Sequence, residues 1–314
     1  VSKQVFLRDV APGARLQGEP FLLSDLAVEI GRNGRPYLAF TVQDRTGRLA
    51  GRWTALDSDL VDDLDAGAGV RVTGVIVERQ GTRTIEAEAL AAHELADWND
   101  YLPASPRPRA EMEAELRARI RALRTPLGEL AAAVALEPEF LARFLRAPAA
   151  RQLHHACIGG LAEHTLAVAA LCEVYAARYP QADRDLLLAA ALLHDAGKIY
   201  EYSAEPSFAH TLEGRLVGHI VLIAARVSAA VAARGDVPAA LRVRLLHAII
   251  AHHGRLEYGS PVMPATLEAI LLHQADVVDS QARGFLDHVA REERRPGAWT
   301  DYSRMFGTEL LRPD

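Results

Sequence analysis

The stretch Leu186-Leu187-Leu188-Ala189-Ala190-Ala191-Leu192-Leu193-His194-Asp195-Ala196-Gly197-Lys198 decides how most of this chain folds. Eight consecutive apolar residues read as a buried helix, and a His-Asp pair stands at its end. A carboxylate in such a setting costs several kcal/mol unless something compensates its charge. A metal ion would do so. Working outward, His164 lies upstream in Gly159-Gly160-Leu161-Ala162-Glu163-His164-Thr165, and His219, the pair His252-His253 and Asp276 lie downstream. Of the twelve histidines only His93 precedes residue 100, so the imidazoles crowd into one part of the chain. Imidazoles and carboxylates without a thiolate suit Mn, Fe, Co, Ni or Zn better than they suit a cysteine-rich structural zinc site.

The same helical period surrounds this stretch. Met112, Leu116, Ile120 and Leu123 repeat at three and four residues, and similar stripes recur in Leu161 to Tyr175, Leu216 to Val231 and Leu241 to Ile250. Before residue 97 the pattern is different: short alternating runs over Phe21 to Ile30, Pro36 to Val42, Arg48 to Trp53, Gly69 to Glu78 and Thr82 to Leu90, with an acidic helix expected over Ala55 to Leu64. Three strands, a helix and two strands is the order of a five-stranded OB barrel. The prolines at 103, 106 and 108 interrupt both patterns. The expected organisation is therefore multidomain: an all-β OB-fold nucleic-acid-binding barrel over 1–97, a Pro-rich linker over 98–110 and an all-α domain over 111–314.

Composition narrows the function classes. A net charge of −6 argues against a uniformly basic nucleic-acid coat. Cys157 and Cys172 match no zinc or redox spacing, and no run of about 18 apolar residues is present, so a cytoplasmic protein without a membrane partner is expected. Among the basic residues only Lys3 and Lys198 are lysines.

Glu163-His164-Thr165, Leu193-His194-Asp195-Ala196-Gly197-Lys198, Gly218-His219-Ile220, Ala251-His252-His253-Gly254 and Ala275-Asp276 occur in the order seen in the HD-domain metal-dependent phosphohydrolases, which the chain resembles. With the barrel-like first third, nearly the whole chain resembles the YhaM-type 3′–5′ exoribonucleases. That resemblance implies an HD fold in which His164, His194, Asp195 and Asp276 hold one divalent metal. His219, His252 and His253 would complete a second site, with Asp195 bridging. Two ions are then expected, Mn2+ foremost, with Co2+, Fe2+, Ni2+, Zn2+ and Mg2+ as alternatives. The implied reaction is hydrolysis of single-stranded RNA, or also DNA, to 5′-nucleoside monophosphates, with Asp195 and Lys198 as catalytic residues and Lys198 also holding a phosphate. Other readings are an HD phosphohydrolase of free nucleotides or cyclic dinucleotides, and a non-catalytic nucleic-acid-binding protein. No GYP tripeptide follows the HD pair, which weakens the cyclic-dinucleotide version.

Further candidates for substrate contact are His154 and His155, beside the Gly159-Gly160 break, and, in the barrel, Tyr37, Phe40 and Trp53 for stacking bases with Arg35, Arg48 and Arg52 for phosphates. Against the barrel residues stands its charge, with eleven Lys plus Arg and fifteen Asp plus Glu over 1–97. Asp279, three residues past Asp276, reads either as support for a ligand or as a solvated carboxylate. His210, His247, His273 and His288 are expected to be structural. A homo-oligomer encircling the strand is compatible with an exonuclease, although no heptad specifies one.

Overall fold

The computed structural model describes residues 3–31, 34–54, 64–79, 81–95, 97–150, 155–203, 209–291 and 297–313. The chain divides into two compact units between Ala104 and Ser105. In the first, β1 (Arg15–Ile30), β2 (Pro36–Asp44), β3 (Gly47–Trp53), β4 (Gly69–Arg79) and β5 (Thr82–Ala92) close into a barrel in the order β1-β2-β3-β5-β4. Every pairing is antiparallel except β3 with β5, where Gly51 faces Ile85 and Trp53 faces Ala87. Alternation fills the interior: Leu38, Phe40 and Val42 on β2, Leu49 and Trp53 on β3, and Val70, Val72 and Ile76 on β4 are all buried. Each such side chain contributes roughly 1.5–3 kcal/mol by leaving water, and closure leaves no exposed sheet edge.

The first strand begins at Arg15, earlier than the expected Phe21. Gly18 and Pro20 obscure its start in the sequence. The β1–β4 register shifts between Gln17 and Glu19, and the Gly18 amide donates to Thr73 Oγ1 at 3.0 Å, so a bulge absorbs the irregularity. The acidic helix expected over Ala55 to Leu64 lies, apart from Leu64, outside the described residues.

The second unit is helical. Its elements are α1 (Arg109–Arg121), α2 (Leu127–Ala135), α3 (Pro138–Phe144), α4 (Gly160–Arg178), α5 (Arg184–Leu193), α6 (Lys198–Glu201), α7 (Leu212–Leu216), α8 (His219–Arg234), α9 (Ala239–Ile250) and α10 (Leu267–Arg291). Helix α5 is the apolar run Leu186–Leu193 with Arg184 and Asp185 before it, and every residue from Asp185 to Leu193 is buried. Helices α2, α4, α9 and α10 pack around it. Asp183 caps its start by accepting from the Leu186 amide at 3.2 Å. Asp185, buried in the first turn, is ion-paired with Arg184 and Arg124. Residues Met112, Leu116 and Ile120 bury the expected stripe of α1. Such a framework holds the end of α5 rigidly in the middle of the unit, and that end carries the His-Asp pair.

Candidate metal centre

Four segments converge on the C-terminal end of α5. His164 projects from the second turn of α4, His194 and Asp195 follow α5 directly, His219 opens α8, His252 and His253 follow α9, and Asp276 lies on α10. Two glycines permit this crowding. A Cβ on Gly197 would sit 2.1 Å from the His219 carbonyl, so only glycine lets α8 begin against the His-Asp turn. Gly254 adopts φ +77, and a Cβ there would fall 2.3 Å from the His273 ring. His273 in turn donates from Nδ1 to the His252 carbonyl at 2.8 Å, which is the structural role expected of it.

The imidazoles share one arrangement. Nδ1 of His194 donates to the Ala191 carbonyl at 2.8 Å, that of His252 to Ile249 at 2.7 Å and that of His253 to Tyr258 at 2.6 Å. Nδ1 of His164 donates to Asp279 Oδ2 at 2.7 Å, and Nδ1 of His219 donates to Glu201 Oε2. Carbonyls and carboxylates can only accept, so each partner fixes the tautomer and leaves Nε2 with a lone pair able to ligate a metal.

Those Nε2 atoms gather around Asp195. Its Oδ2 lies 3.3 Å from His164 Nε2 and 3.5 Å from His194 Nε2, whereas its Oδ1 lies 3.3 Å from His219 Nε2 and 3.4 Å from His252 Nε2. Asp276 Oδ1 stands 3.3 Å from His164 Nε2 and belongs to the first set. Two groups result, His164, His194 and Asp276 in one, Asp195, His219, His252 and His253 in the other, with ligand atoms in each within 4.8 Å of one another. The neighbouring pair His252-His253, with ring centres 4.3 Å apart, falls in a single group.

The donor set fits divalent ions. His194 Nε2 and His164 Nε2 are 3.3 Å apart with both Nδ1 atoms already committed, so two lone pairs face each other unless a cation lies between them. Asp195 Oδ1, His219 Nε2 and His252 Nε2 are buried without a hydrogen-bond partner. Metal–ligand bonds of ~2.0–2.2 Å give ligand–ligand edges of ~3.0–3.5 Å, the separation found around Asp195.

Charge differs from one imidazole to the next within these groups. Burial pushes the His194 imidazole down to about 3, and burial together with His252 pushes His253 down to about 4, so both stay neutral and able to ligate. Burial acts in the same direction on His164, but the carboxylates of Asp195, Asp276 and Asp279 outweigh it and hold that imidazole well above its ordinary value. The pocket favours a cation there. Asp195 is held well below the usual carboxylate range despite burial, chiefly by Lys198 and His194.

Lys198 reaches the centre by a route the sequence did not suggest. Its Nζ lies 2.6 Å from Asp195 Oδ2 with the side chain 10% exposed, so its charge is engaged with that carboxylate. His155 corrects an expectation. It is 3% exposed and sits 3.0 Å from Asp279 Oδ2, which engages its ring with the same carboxylate as His164 instead of leaving it open for the substrate contact expected of it. His154 lies outside the described residues. Asp279 is bound to both the His164 and the His155 rings with its side chain 14% exposed, so it is not the solvated carboxylate of the other reading. Glu201 was missed; it is three residues past Lys198, a spacing that places both on one face of the short α6.

In the barrel, Trp53 is a second correction. It is 3% exposed, its indole donates to the Glu88 carbonyl at 3.1 Å, and stacking a base on it would require opening the core. Phe40 is buried with it. Tyr37 is half-buried and donates to Glu29, Arg48 is exposed and bonded to Gln43, and Arg52 pairs with Glu86 at 2.7 Å. Arg52 and Glu86, with Thr54, Val75, Ala87 and Glu88, line an open groove of about 280 Å³.

Comparison with known proteins agrees with this geometry. An HD domain is matched over residues 161–281. The chain is 32% identical to a 3′–5′ exoribonuclease YhaM of Bacillus velezensis over 92% of its length and 91% of that protein, and 31% identical to that of Bacillus subtilis over 98% and 96%. A Geobacillus 3′–5′ exoribonuclease YhaM is 31% identical over 92% of the chain and 88% of its own length. The chain belongs to the YhaM family of 3′–5′ exoribonucleases. In this YhaM-family chain the HD match runs from Leu161 to Gln281, so it takes in all seven side chains of the two groups but not α2, which packs on α5 from outside the matched region.

Proposed function

We propose that this chain is a metal-dependent 3′–5′ exonuclease of single-stranded RNA, and also of single-stranded DNA, and that it releases 5′-nucleoside monophosphates. One observation carries the reading: a single buried carboxylate, Asp195, turns one oxygen toward each of two sets of Nε2 atoms. In this reading His164, His194, Asp195 and Asp276 hold one divalent ion, and Asp195, His219, His252 and His253 hold the other, Mn2+ in each. Such a pair of ions supplies an activated water and neutralises charge on the phosphoryl oxygens. Asp195 keeps the two sets at a fixed separation, and Glu201, Asp279 and the backbone carbonyls keep each imidazole aimed. Lys198 keeps Asp195 ionised and adds a fixed positive charge beside it, where an incoming phosphodiester gains a counter-charge.

The barrel grips the strand in this scheme, residues 98–110 connect it to the hydrolytic domain over 111–314, and the protein works in the cytoplasm. Of the barrel candidates, Arg35, Arg48, Arg52 and Tyr37 remain accessible to a strand, three arginines to one aromatic ring, which favours phosphate contacts over base stacking as the barrel's contribution. The test incubates the purified chain with Mn2+ and 5′-labelled single-stranded RNA beside an Asp195→Ala variant. A ladder of products shortened from the 3′ end is expected from the parent chain only. The same ladder from the variant, or none from either, overturns the proposal.

A further inference from the structure

Residues 254–260 form a turn directly after the His252-His253 pair. Leu256–Tyr258 is a single 3-10 turn closed by Gly259, and the Tyr258 and Ser260 amides both return to the Arg255 carbonyl at 3.2 Å. Gly254, pinned over His273, fixes where the turn begins, and His253 Nδ1 donates to the Tyr258 carbonyl at 2.6 Å, which fixes where it ends. A metal-site imidazole is therefore one hydrogen bond from the backbone of Tyr258. The phenol ring itself is 65% exposed. Arg255 places its guanidinium carbon 6.0 Å from the centre of that ring. Among the described residues no carboxylate pairs with Arg255, whereas Arg52, Arg79, Arg234, Arg244 and Arg283 are all ion-paired. An exposed aromatic ring with an uncommitted arginine beside it, tied to the hydrolytic centre, is the chemistry that holds an unstacked nucleobase and its phosphate.

We propose that Tyr258 is the platform on which the base of the RNA's 3′-terminal nucleotide stacks, with Arg255 contacting a neighbouring phosphate. This rests on the exonuclease reading and names the residues that seat its substrate. Because every base offers a π face, the platform is indifferent to sequence, as an enzyme that removes successive nucleotides requires. Tyr258 supplies binding and Arg255 charge; neither touches the ions.

The test pairs protein variants with substrate variants. Tyr258→Ala is expected to raise KM for single-stranded RNA about tenfold or more, with kcat and bound metal little changed, and Tyr258→Phe restores the parent KM. Removing the base of the 3′-terminal nucleotide costs the parent chain a similar factor and costs Tyr258→Ala nothing further. An unchanged KM in Tyr258→Ala, or an equal abasic penalty in both proteins, overturns the platform. A second readout separates this from failure of the exonuclease reading. RNA ending in 3′-terminal 2-aminopurine behind a non-hydrolysable linkage, titrated with the Mn2+-loaded protein, is expected to be quenched by the parent chain and by Tyr258→Phe but not by Tyr258→Ala. If no RNA is cleaved yet the quench follows this pattern, the platform stands and the activity fails; equal quenching by all three sinks the platform.

Discussion

Buried polar groups in the barrel satisfy one another, and those at the end of α5 do not. Asp44, 1% exposed, accepts from the Leu7 amide at 2.7 Å and the Thr46 amide at 2.8 Å, and Gln43 donates to the Tyr101 carbonyl at 3.2 Å. The barrel's surface arginines are balanced too, with Arg15 on Glu88 and both Arg52 and Arg79 on Glu86. In the helical unit Asp195 Oδ1, His219 Nε2 and His252 Nε2 are buried and unpartnered, and Nε2 of His164 and His194 face each other. Leaving a buried polar group unpaired costs about 1–3 kcal/mol, more for a charge. A fold that does so several times at one point must recover that cost from something it binds. The barrel's buried polar groups are paired as they stand; the helical centre presents the unpaired ligand atoms that divalent cations would complete.

Removing metal should expose this contrast most strongly. Chelation with EDTA is expected to abolish hydrolysis and to lower the unfolding temperature of the helical unit while leaving the barrel transition in place. An ion present at ~1,000 times its Kd contributes about 4 kcal/mol to the unit that binds it. Differential scanning calorimetry of the full chain, with and without EDTA and after Mn2+ is restored, measures both transitions. A barrel transition that moves as far as the helical one would break the comparison.

A smaller effect should come from the carboxylates behind the imidazoles. Asp279→Asn keeps the shape but weakens the acceptor for His164 Nδ1, and Glu201→Gln does the same for His219. Each is expected to raise the Mn2+ concentration for half-maximal activity by about 10–100-fold, with maximal kcat at saturating Mn2+ much less affected. The double variant shows whether the two groups are filled independently, since supports of separate ions should combine multiplicatively. A loss of kcat that saturating Mn2+ does not repair would contradict a positioning role.

The parts of this arrangement visible in the sequence are those encoded by local spacing. The α5 run, the α1 stripe and the β2–β3 alternation each announce themselves within a dozen residues, and the metal-site histidines stand out because His-Asp and His-His pairs are chemically conspicuous. What stayed hidden depends on three-dimensional placement. Trp53 shares a strand with exposed arginines, and only the closed barrel shows that its parity points inward. By type Lys198 suggests a phosphate, and only the turn after α5 shows that its Nζ also stands 2.6 Å from Asp195 Oδ2. The Gly18 bulge hid the start of β1 because a glycine and a proline two residues apart mimic a turn.

The smallest predicted effect tests whether the barrel is as self-sufficient as it looks. Lys3 is its exception, a buried ammonium whose Nζ donates to the Pro20 carbonyl and lies 3.7 Å from the centre of the Phe21 ring. Burial pulls its pKa down to about 8, against the attraction of Asp44, Glu19 and Asp100. An unfolded lysine titrates near 10.4, so between about pH 8 and that value the unfolded chain holds a proton that the folded barrel has released. Stability therefore rises with pH across this window and is flat with respect to Lys3 below it. Lys3→Met should remove the slope and stabilise the barrel most at neutral pH, where the parent carries the full cost of the buried charge. Urea unfolding followed at Trp53, in a chain with Trp98 and Trp299 replaced by Phe, measures the slope. If parent and Lys3→Met show the same pH dependence from 8 to 10, the ammonium is already solvated, and the barrel has no uncompensated buried charge to set beside the helical centre.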